Sequence, residues 1–260
     1  MHTLRVWFAL AAMTWRSQLQ YRRSFLLACL AQILITGFDF AGLAFLAQRF
    51  AGIAGWSIAE IGLFYGLISC GLGLGLVLGH PLTYVDEQIR SGSFDAVLVR
   101  PAPAVVQVCG RLELQRLGRC VQGLAVLVWA VSVLPQIWTW STLALAAWTV
   151  MGGAAFFLGI LLLQATTAFW TQESIEAFNI LTYGGSTIAS LPMDLYESWL
   201  RRFFTWVIPL AAVGYLPVLA ILGREPPMVG WLAPLAGFAM LGLGLMAWRW
   251  GVRHYTSTGS

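Results

Sequence analysis

The chain has 260 residues, of which 59% are hydrophobic and 10% charged, and its mean hydropathy is +0.76. A soluble domain carries about 25% charged residues, so this composition indicates a polytopic membrane protein without a separate soluble catalytic domain. The net charge of +4 comes from 15 arginines and no lysine. Arginines between apolar segments are typical of cytoplasmic loops, whereas nucleic-acid binding needs basic residues clustered on a wet face.

Residues 1–23 predict a helix that lies in the headgroup plane ahead of the first span. Apolar residues recur at helical spacing from Leu4 to Leu19, and the arginines that follow come without a small-residue cleavage site. The segment is therefore not a cleavable signal. The alternative is a cytoplasmic extension of the first span itself.

The first span covers roughly residues 25–48 and carries one acid near its middle, Asp39. A carboxylate at that depth costs about 2.5–3.5 kcal/mol on insertion scales, so it should face the bundle, a partner subunit or a wet cavity. Asp39 is either a polar feature of a transport path, a structural hydrogen-bonding group, or a group near enough to the membrane surface to be wet. Gln32 and Thr36 fall one or two helical turns away and are the other candidates for a polar path lining.

The second span should begin at Ser57, because Glu60 three residues later completes a capping box. Near its end, Gly71, Gly75 and Gly79 recur every four residues on one helix face. This spacing allows a second helix to approach closely. A phosphate-binding loop is excluded, because no strand precedes these glycines and they lie inside an apolar span.

The longest polar interruption runs over residues 82–103, LTYVDEQIRSGSFDAVLVRPAP. It predicts a short helix from Tyr84 to Arg90, a break at Ser91 and Gly92, and a second amphipathic run from Phe94 to Val99. A membrane-embedded chain without catalytic residues needs a water-exposed segment through which a soluble partner can act on it. This loop is the predicted place for it, and the alternative is a solvated connector with no partner.

The remaining spans follow in order, with a second polar break at residues 170–179 on the same side as the central loop. Residues 192–224 mix polar and apolar residues around two prolines, so they form either a full span or outer helices that enter the membrane and return. The third span should end near Leu134, the fourth should cover Trp140 to Phe169, the fifth Ala177 to Leu191, and the last Trp231 to Trp248.

Arginine counts place both termini inside and favour six spans. Eleven arginines fall on the inner side: Arg5, Arg16, Arg22, Arg23, Arg90, Arg100, Arg111, Arg116, Arg119, Arg249 and Arg253. Four fall outside: Arg49, Arg201, Arg202 and Arg224. The expected fold is therefore an all-α polytopic helical bundle, a single transmembrane domain over residues 1–260. The four cysteines are scattered and predict neither a disulfide framework nor a metal site.

Four stretches, in order along nearly the whole chain, resemble one family. They are RSGSFDAVLVRPAP, FWTQESIEAFN, SWLRRFFTWVIPLAAVGYLPVLAILG and AWRWGVRHYTSTGS. Together they are similar to permease subunits of ATP-binding-cassette exporters of the second type, in the bacterial branch with paired, related permeases. Leu191 departs from the pattern, which has an aromatic residue before the proline. Asp39 matches no family position.

The resemblance implies an interfacial N-terminal helix, six spans and outer re-entrant helices over residues 192–224. It also implies that two permeases pair and that each docks on an ATPase through the loop after the second span. On this sequence the docking stretch is Glu87 to Arg100, with a secondary contact from residues 172–176. The residues expected at the ATPase are Glu87, Ile89, Arg90, Phe94, Asp95, Leu98, Arg100, Gln172, Glu173 and Glu176.

The leading hypothesis is a non-catalytic permease subunit of an ATP-driven exporter in the bacterial inner membrane. A phosphate-binding motif needs a lysine that the chain lacks, so ATP and Mg²⁺ would be bound by a partner ATPase and the permease itself needs no cofactor. The substrate would be hydrophobic or amphiphilic. One alternative is a secondary transporter or channel with Asp39 as its polar site, although no inverted repeat is evident. A membrane-embedded enzyme is disfavoured because no catalytic motif is present.

Overall fold

The chain is helical throughout the part that the computed structural model describes, residues 2–49, 55–134, 138–171 and 177–256. No strand occurs in these ranges. Their α-helices are α1 (His2–Gln20), α2 (Arg22–Arg49), α3 (Ile58–Gly79), α4 (Val85–Arg90), α5 (Asp95–Leu98), α6 (Ala104–Cys109), α7 (Leu117–Val133), α8 (Trp140–Thr171), α9 (Ala177–Asn179), α10 (Gly185–Ala189), α11 (Ser198–Arg202), α12 (Leu210–Val213), α13 (Tyr215–Ile221), α14 (Pro227–Leu232) and α15 (Leu235–His254). Short 3₁₀ or π turns lie at His80–Tyr84, Leu114–Arg116, Ile180–Gly184, Met193–Leu195 and Phe203–Val207. The predicted all-α bundle is confirmed.

Five helical runs in the described residues are long and apolar enough to cross a membrane, and a pair of helices bent by 74° makes six if it counts as one span. The chain is thus a multi-pass membrane protein. The five runs are Arg22–Phe45, Ile58–Arg90, Leu114–Val133, Trp140–Thr171 and Pro227–His254, and the bent pair is Ser198–Val207 with Leu210–Ile221.

Helix α8 packs against both α3 and α15 through glycines, and α3 packs as extensively against α7. A Cβ built on Gly71 of α3 would lie 3.2 Å from the Cα of Gly153 on α8. A Cβ on Gly244 of α15 would lie 2.7 Å from the Gly159 carbonyl oxygen of α8. The predicted close packing along the glycine face is therefore confirmed. We call these positions the glycine seam: Gly71, Gly152, Gly153, Gly159, Gly237 and Gly244.

Helix α2 lies at the edge of the bundle and leans on α7. A Cβ on Gly118 of α7 would lie 2.6 Å from the Cys29 carbonyl oxygen of α2, so the two helices meet at this glycine. Within this chain, 6% of the most apolar stretch of α2 is buried, against 89% for the run that starts at Ile58. The first span therefore presents most of its surface to lipid or to another subunit.

The two chain ends lie at the same end of the bundle, which we call the loop end because it carries residues 82–116. Leu10 of α1 contacts Gly110, and Gln18 bonds to the main chain at Leu112 and Leu114. Near the C-terminus, Tyr255 donates a hydrogen bond to Asp95. A break at Tyr21 separates α1 from α2.

Residues 194–224 lie at the opposite end of the bundle. Arg201 forms a salt bridge of 3.0 Å with Asp194, and Tyr215 donates a 2.6 Å hydrogen bond to the same carboxylate. Arg224 pairs with Glu60 and covers the ring of Trp56 at 4.1 Å. The Arg224–Glu60 pair thereby ties the end of the bent pair to the start of α3, and the bent pair is either a broken span or a re-entrant loop.

The chain must then cross the bundle between Thr171, which ends α8 at the loop end, and Asp194 at the opposite end. This is where the fifth span was predicted. Its described helical part, Ala177–Ala189, is shorter than the roughly 20 residues of a full span.

The predicted capping box at the start of α3 is confirmed. The Ser57 side chain accepts the Glu60 amide, and the Glu60 side chain accepts the Ser57 amide.

Candidate functional site

The loop end carries a compact helical elbow, which we define as residues 85–100: α4, α5, the turn between them and the two residues after α5. The turn is possible because Gly92 adopts a φ of 71°, a conformation that L side chains rarely take. The Phe94 amide donates to the Gln88 carbonyl at 3.0 Å, which closes the elbow across the turn. The predicted pair of short helices is confirmed.

Phe94 is the residue that seats the elbow on the bundle. It is fully buried, and its ring lies 5.3 Å from Phe169 of α8, 5.3 Å from Tyr255 and 6.3 Å from Trp248 of α15. Ile89 is also buried, with 2% of its surface exposed. In this structure neither side chain offers surface to a partner, so a role in coupling would act through packing rather than through direct contact.

The other predicted elbow contacts divide by exposure. Glu87, Arg90 and Arg100 are exposed, and so is Leu98 at 40%. Val99 is exposed at 85%, which makes it the most open apolar side chain of the elbow, although the sequence did not single it out. These five residues form what we call the elbow surface. Asp95 is half-buried and accepts the Tyr255 hydroxyl at 2.8 Å. Gln172, Glu173 and Glu176 lie outside the described residues.

Gln107 fixes the segment that returns from the elbow to the membrane. Its buried Nε2 donates to the Val97 carbonyl at 2.8 Å and to the Ala102 carbonyl at 2.7 Å. An amide side chain that bonds two loop carbonyls replaces the water they would otherwise bind. The elbow is thus held both by the bundle beneath it and by the chain that follows it.

A polar cluster joins α2, α3 and α7 just below the elbow. His80 Nδ1 lies 2.9 Å from Glu113 Oε1, and Arg116 Nε lies 3.3 Å from Glu113 Oε2. Arg116 also bonds His80 Nε2 and reaches Gln32 Oε1 at 3.4 Å. The cluster thereby links α2 to the turn that follows α3 and to the turn that precedes α7.

The charges in this cluster act on Glu113. Burial of the carboxyl opposes ionisation, but the hydrogen bond and charge of His80 and the charge of Arg116 outweigh it, so the pKa of Glu113 falls below its ordinary value of 4.5. Glu113 is therefore ionised at neutral pH and ties the start of α7 to the end of α3. The Glu113 amide adds a main-chain bond of 3.1 Å to the Val77 carbonyl.

A second feature lies within the membrane-spanning part, between α2, α3, α7 and α10. It is a cavity of about 380 Å³ that we call the polar cavity. Two opposite charges line it, Asp39 from α2 and Arg119 from α7. The other lining residues are Phe38, Gly42, Leu43, Tyr65, Thr187, Ser190 and Leu191.

Of the three residues predicted for a path lining, only Asp39 lines the polar cavity. Gln32 is turned toward Arg116 in the cluster below the elbow. The Thr36 hydroxyl is buried and donates to the Gln32 carbonyl at 2.8 Å, while its own carbonyl accepts the Tyr65 hydroxyl at 2.6 Å. Thr36 therefore positions a cavity residue without lining the cavity itself.

Arg119 is the functional candidate that the sequence did not reveal. It belongs to the run GRLELQRLGR, which predicts a wet start of the third span, yet the guanidinium reaches the same cavity as Asp39. The only available signal was its place near the start of a span. Sequence spacing does not relate residues 39 and 119, because they come together only when α2 and α7 pack side by side.

These features fit one class of protein. A multi-pass helical bundle that combines a seated elbow at one end with a charged cavity between its spans has an architecture suited to membrane transport. Within the described residues no group of three His, Cys, Asp or Glu side chains is arranged to hold a metal ion.

Comparison with known families specifies the class. The model of the ABC-2 family transporter proteins matches residues 33–259, and the chain belongs to that family. Members are generally non-catalytic membrane permease subunits that associate with ABC ATPases. No match was found among curated proteins or solved structures. The elbow and the polar cavity both lie within the matched residues.

Proposed function

We propose that this chain is the transmembrane permease subunit of an ATP-driven exporter, coupled to a separate ATPase through the elbow surface. The observation that carries the proposal is the contrast within one short segment. Phe94 and Ile89 are buried in the bundle, whereas Leu98, Val99 and Arg100 are exposed beside them. An ATPase that packs against the elbow surface would cover the open apolar tip at Leu98 and Val99, while the buried Phe94 holds that tip on the bundle.

The buried contacts of Phe94 suggest how a nucleotide-driven movement of the ATPase would reach the membrane spans. Phe94 contacts rings from α8 and from the end of α15, which share the glycine seam. Packed interfaces move as units rather than deforming continuously, so a push on the elbow would displace these helices together. ATP and Mg²⁺ would be bound by the ATPase, since the chain contains no lysine for a phosphate-binding motif.

A second permease would cover α2. Large apolar side chains along this helix are exposed, among them Leu27 at 66%, Ile35 at 61% and Phe38 at 74%. The polar cavity opens beside the same helix, so the translocation path would form between two permeases, either related or identical. The cavity and its apolar surroundings favour a hydrophobic or amphiphilic substrate. Both termini would lie in the cytoplasm of a bacterial cell, and transport would run outward across the inner membrane.

The test is co-purification of the tagged chain with the products of its chromosomal neighbours in a mild detergent. A stoichiometric ATPase and a second multi-pass protein are the expected companions. Arg100→Glu should release the ATPase while the permease stays monodisperse. Arg202→Glu is the matched control, because Arg202 is also exposed but lies at the opposite end of the bundle.

Two outcomes would contradict the proposal. The wild-type chain could emerge alone and monodisperse, or Arg100→Glu and Arg202→Glu could retain the ATPase equally. In the first case the elbow is a connector. The chain would then be a secondary transporter or channel, with Asp39 as its intramembrane polar site.

A further inference from the structure

The polar cavity holds two opposite charges that do not pair with each other. Asp39 and Arg119 both line it, yet no salt bridge joins them among those of the described residues. The buried Nε of Arg119 has no hydrogen-bond partner there. Each charge within a span costs about 2.5–3.5 kcal/mol on insertion scales. Two unpaired charges in one cavity therefore indicate a binding site for a ligand that pairs with them.

The two charges lie at different depths of the cavity. Asp39 is exposed on α2, whereas Arg119 is only partly exposed and its Nε is buried. The guanidinium presents a planar fork of donors that suits phosphate or carboxylate oxygens. A carboxylate at the mouth suits a cationic group. A purely anionic ligand would meet repulsion from Asp39, and a purely cationic one would meet repulsion from Arg119.

The walls of the cavity favour an amphiphile over a small solute. Tyr65, Thr187 and Ser190 also line the cavity, and because each hydroxyl donates to a main-chain carbonyl, it can only accept a hydrogen bond from a ligand. Outside the mouth, Phe38 is 74% exposed and Ile35 61% exposed on the same helix as Asp39. An acyl chain could run along this apolar track while its headgroup occupied the cavity.

We propose that the polar cavity binds the zwitterionic headgroup of an amphiphile, with its acidic group at Arg119 and its cationic group at Asp39. This inference rests on the proposed transport function and names the substrate class for it. Each of the two charges then has an oppositely charged partner when such a headgroup fills the cavity, and water hydrates both charges when it does not.

Binding to the purified full chain tests the inference directly. The chain is held in an uncharged maltoside and titrated with three amphiphiles that share a twelve-carbon tail: dodecylphosphocholine, dodecyl phosphate and dodecyltrimethylammonium. Apparent Kd is obtained from the shift of the thermal unfolding midpoint, which follows binding to the folded state. We expect the zwitterion to bind at least about tenfold more tightly than either singly charged probe.

Removing either charge should abolish the preference for the zwitterionic probe. With Arg119→Gln, the zwitterion should bind no better than the ammonium probe, and with Asp39→Asn no better than the phosphate probe. Arg119→Lys keeps the positive charge but loses the planar fork of guanidinium donors, and it replaces Arg119→Gln if that variant fails to fold. Arg202→Gln, at the opposite end of the bundle, should leave all three affinities unchanged.

Three results would overturn the inference: equal binding of all probes to the wild-type chain, equal effects of a charge variant on all probes, or an effect of Arg119→Gln with none of Asp39→Asn. The last result would define an anion site instead. The ATPase is absent from this assay, so a failure here leaves the elbow proposal standing, and loss of ATPase binding leaves this inference standing.

Discussion

Truncation of Phe94 separates an anchoring role from a docking role. Its side chain is fully buried against three aromatic rings at the loop end of the bundle. Phe→Ala at a buried site removes about 3–5 kcal/mol of stability. At about 2–4 °C per kcal/mol for a chain of this size, Phe94→Ala should lower the Tm by at least about 6 °C. Val99→Ala, at an 85% exposed position, should change it little.

The assay is thermal unfolding of the tagged permease in maltoside, read by size exclusion, alongside co-purification of the ATPase. Phe94→Ala should lower both stability and ATPase recovery, and Phe94→Leu, which keeps most of the volume, should restore part of both. Val99→Asp should lower ATPase recovery alone. The reasoning is refuted if Phe94→Ala abolishes ATPase recovery at an unchanged Tm, since Phe94 would then be a contact residue that turns outward.

Two further predictions concern packing and pH. Gly237→Ala should destabilise the bundle by about 1–3 kcal/mol, because the added Cβ would lie 2.7 Å from the carbonyl carbon of Gly152. Gly242→Ala is the control, because Gly242 lies on the same helix with nothing within 4 Å of the added Cβ, and it should be neutral or slightly stabilising. Equal Tm values for the two variants would contradict close packing at the glycine seam. The lowered pKa of Glu113 contributes stability that is present above pH 4.5 and is lost as the pH falls through the folded-state pKa. The Tm should therefore drop on acidification below about pH 4.5, and Glu113→Gln should flatten that drop.

Local signals in the sequence predicted the features that depend on local geometry. The capping box at Ser57 and Glu60 and the break at Gly92 follow from rules that span a few residues. The spacing from Gly71 to Gly79 identified a close helix contact because helical periodicity places those residues on one face. In each case the physical cause lies within one helix or one turn, so the structure agrees with the pattern.

The features that depend on pairing between distant segments could not be predicted in the same way. Phe94 lies in an amphipathic run, and only the rings of α8 and α15 decide that it points inward. Gln32 was predicted as a path residue because it lies two helical turns from Asp39, but it bonds to Arg116 near the loop end instead. Arg119 joins Asp39 through the packing of α2 on α7. Such contacts are fixed by tertiary structure, which a single sequence does not display.

The glycine seam also limits which amino-acid substitutions the chain can tolerate. Glycine is the smallest residue, so every missense change at a seam position adds at least one carbon where a neighbouring helix already stands. No conservative exchange exists at Gly237 or Gly244, whereas Gly242 has open space and can accept several residues. A saturation library of this chain should therefore contain invariant positions spaced along α8 and α15, and that pattern would outline the helix interface without any coordinates.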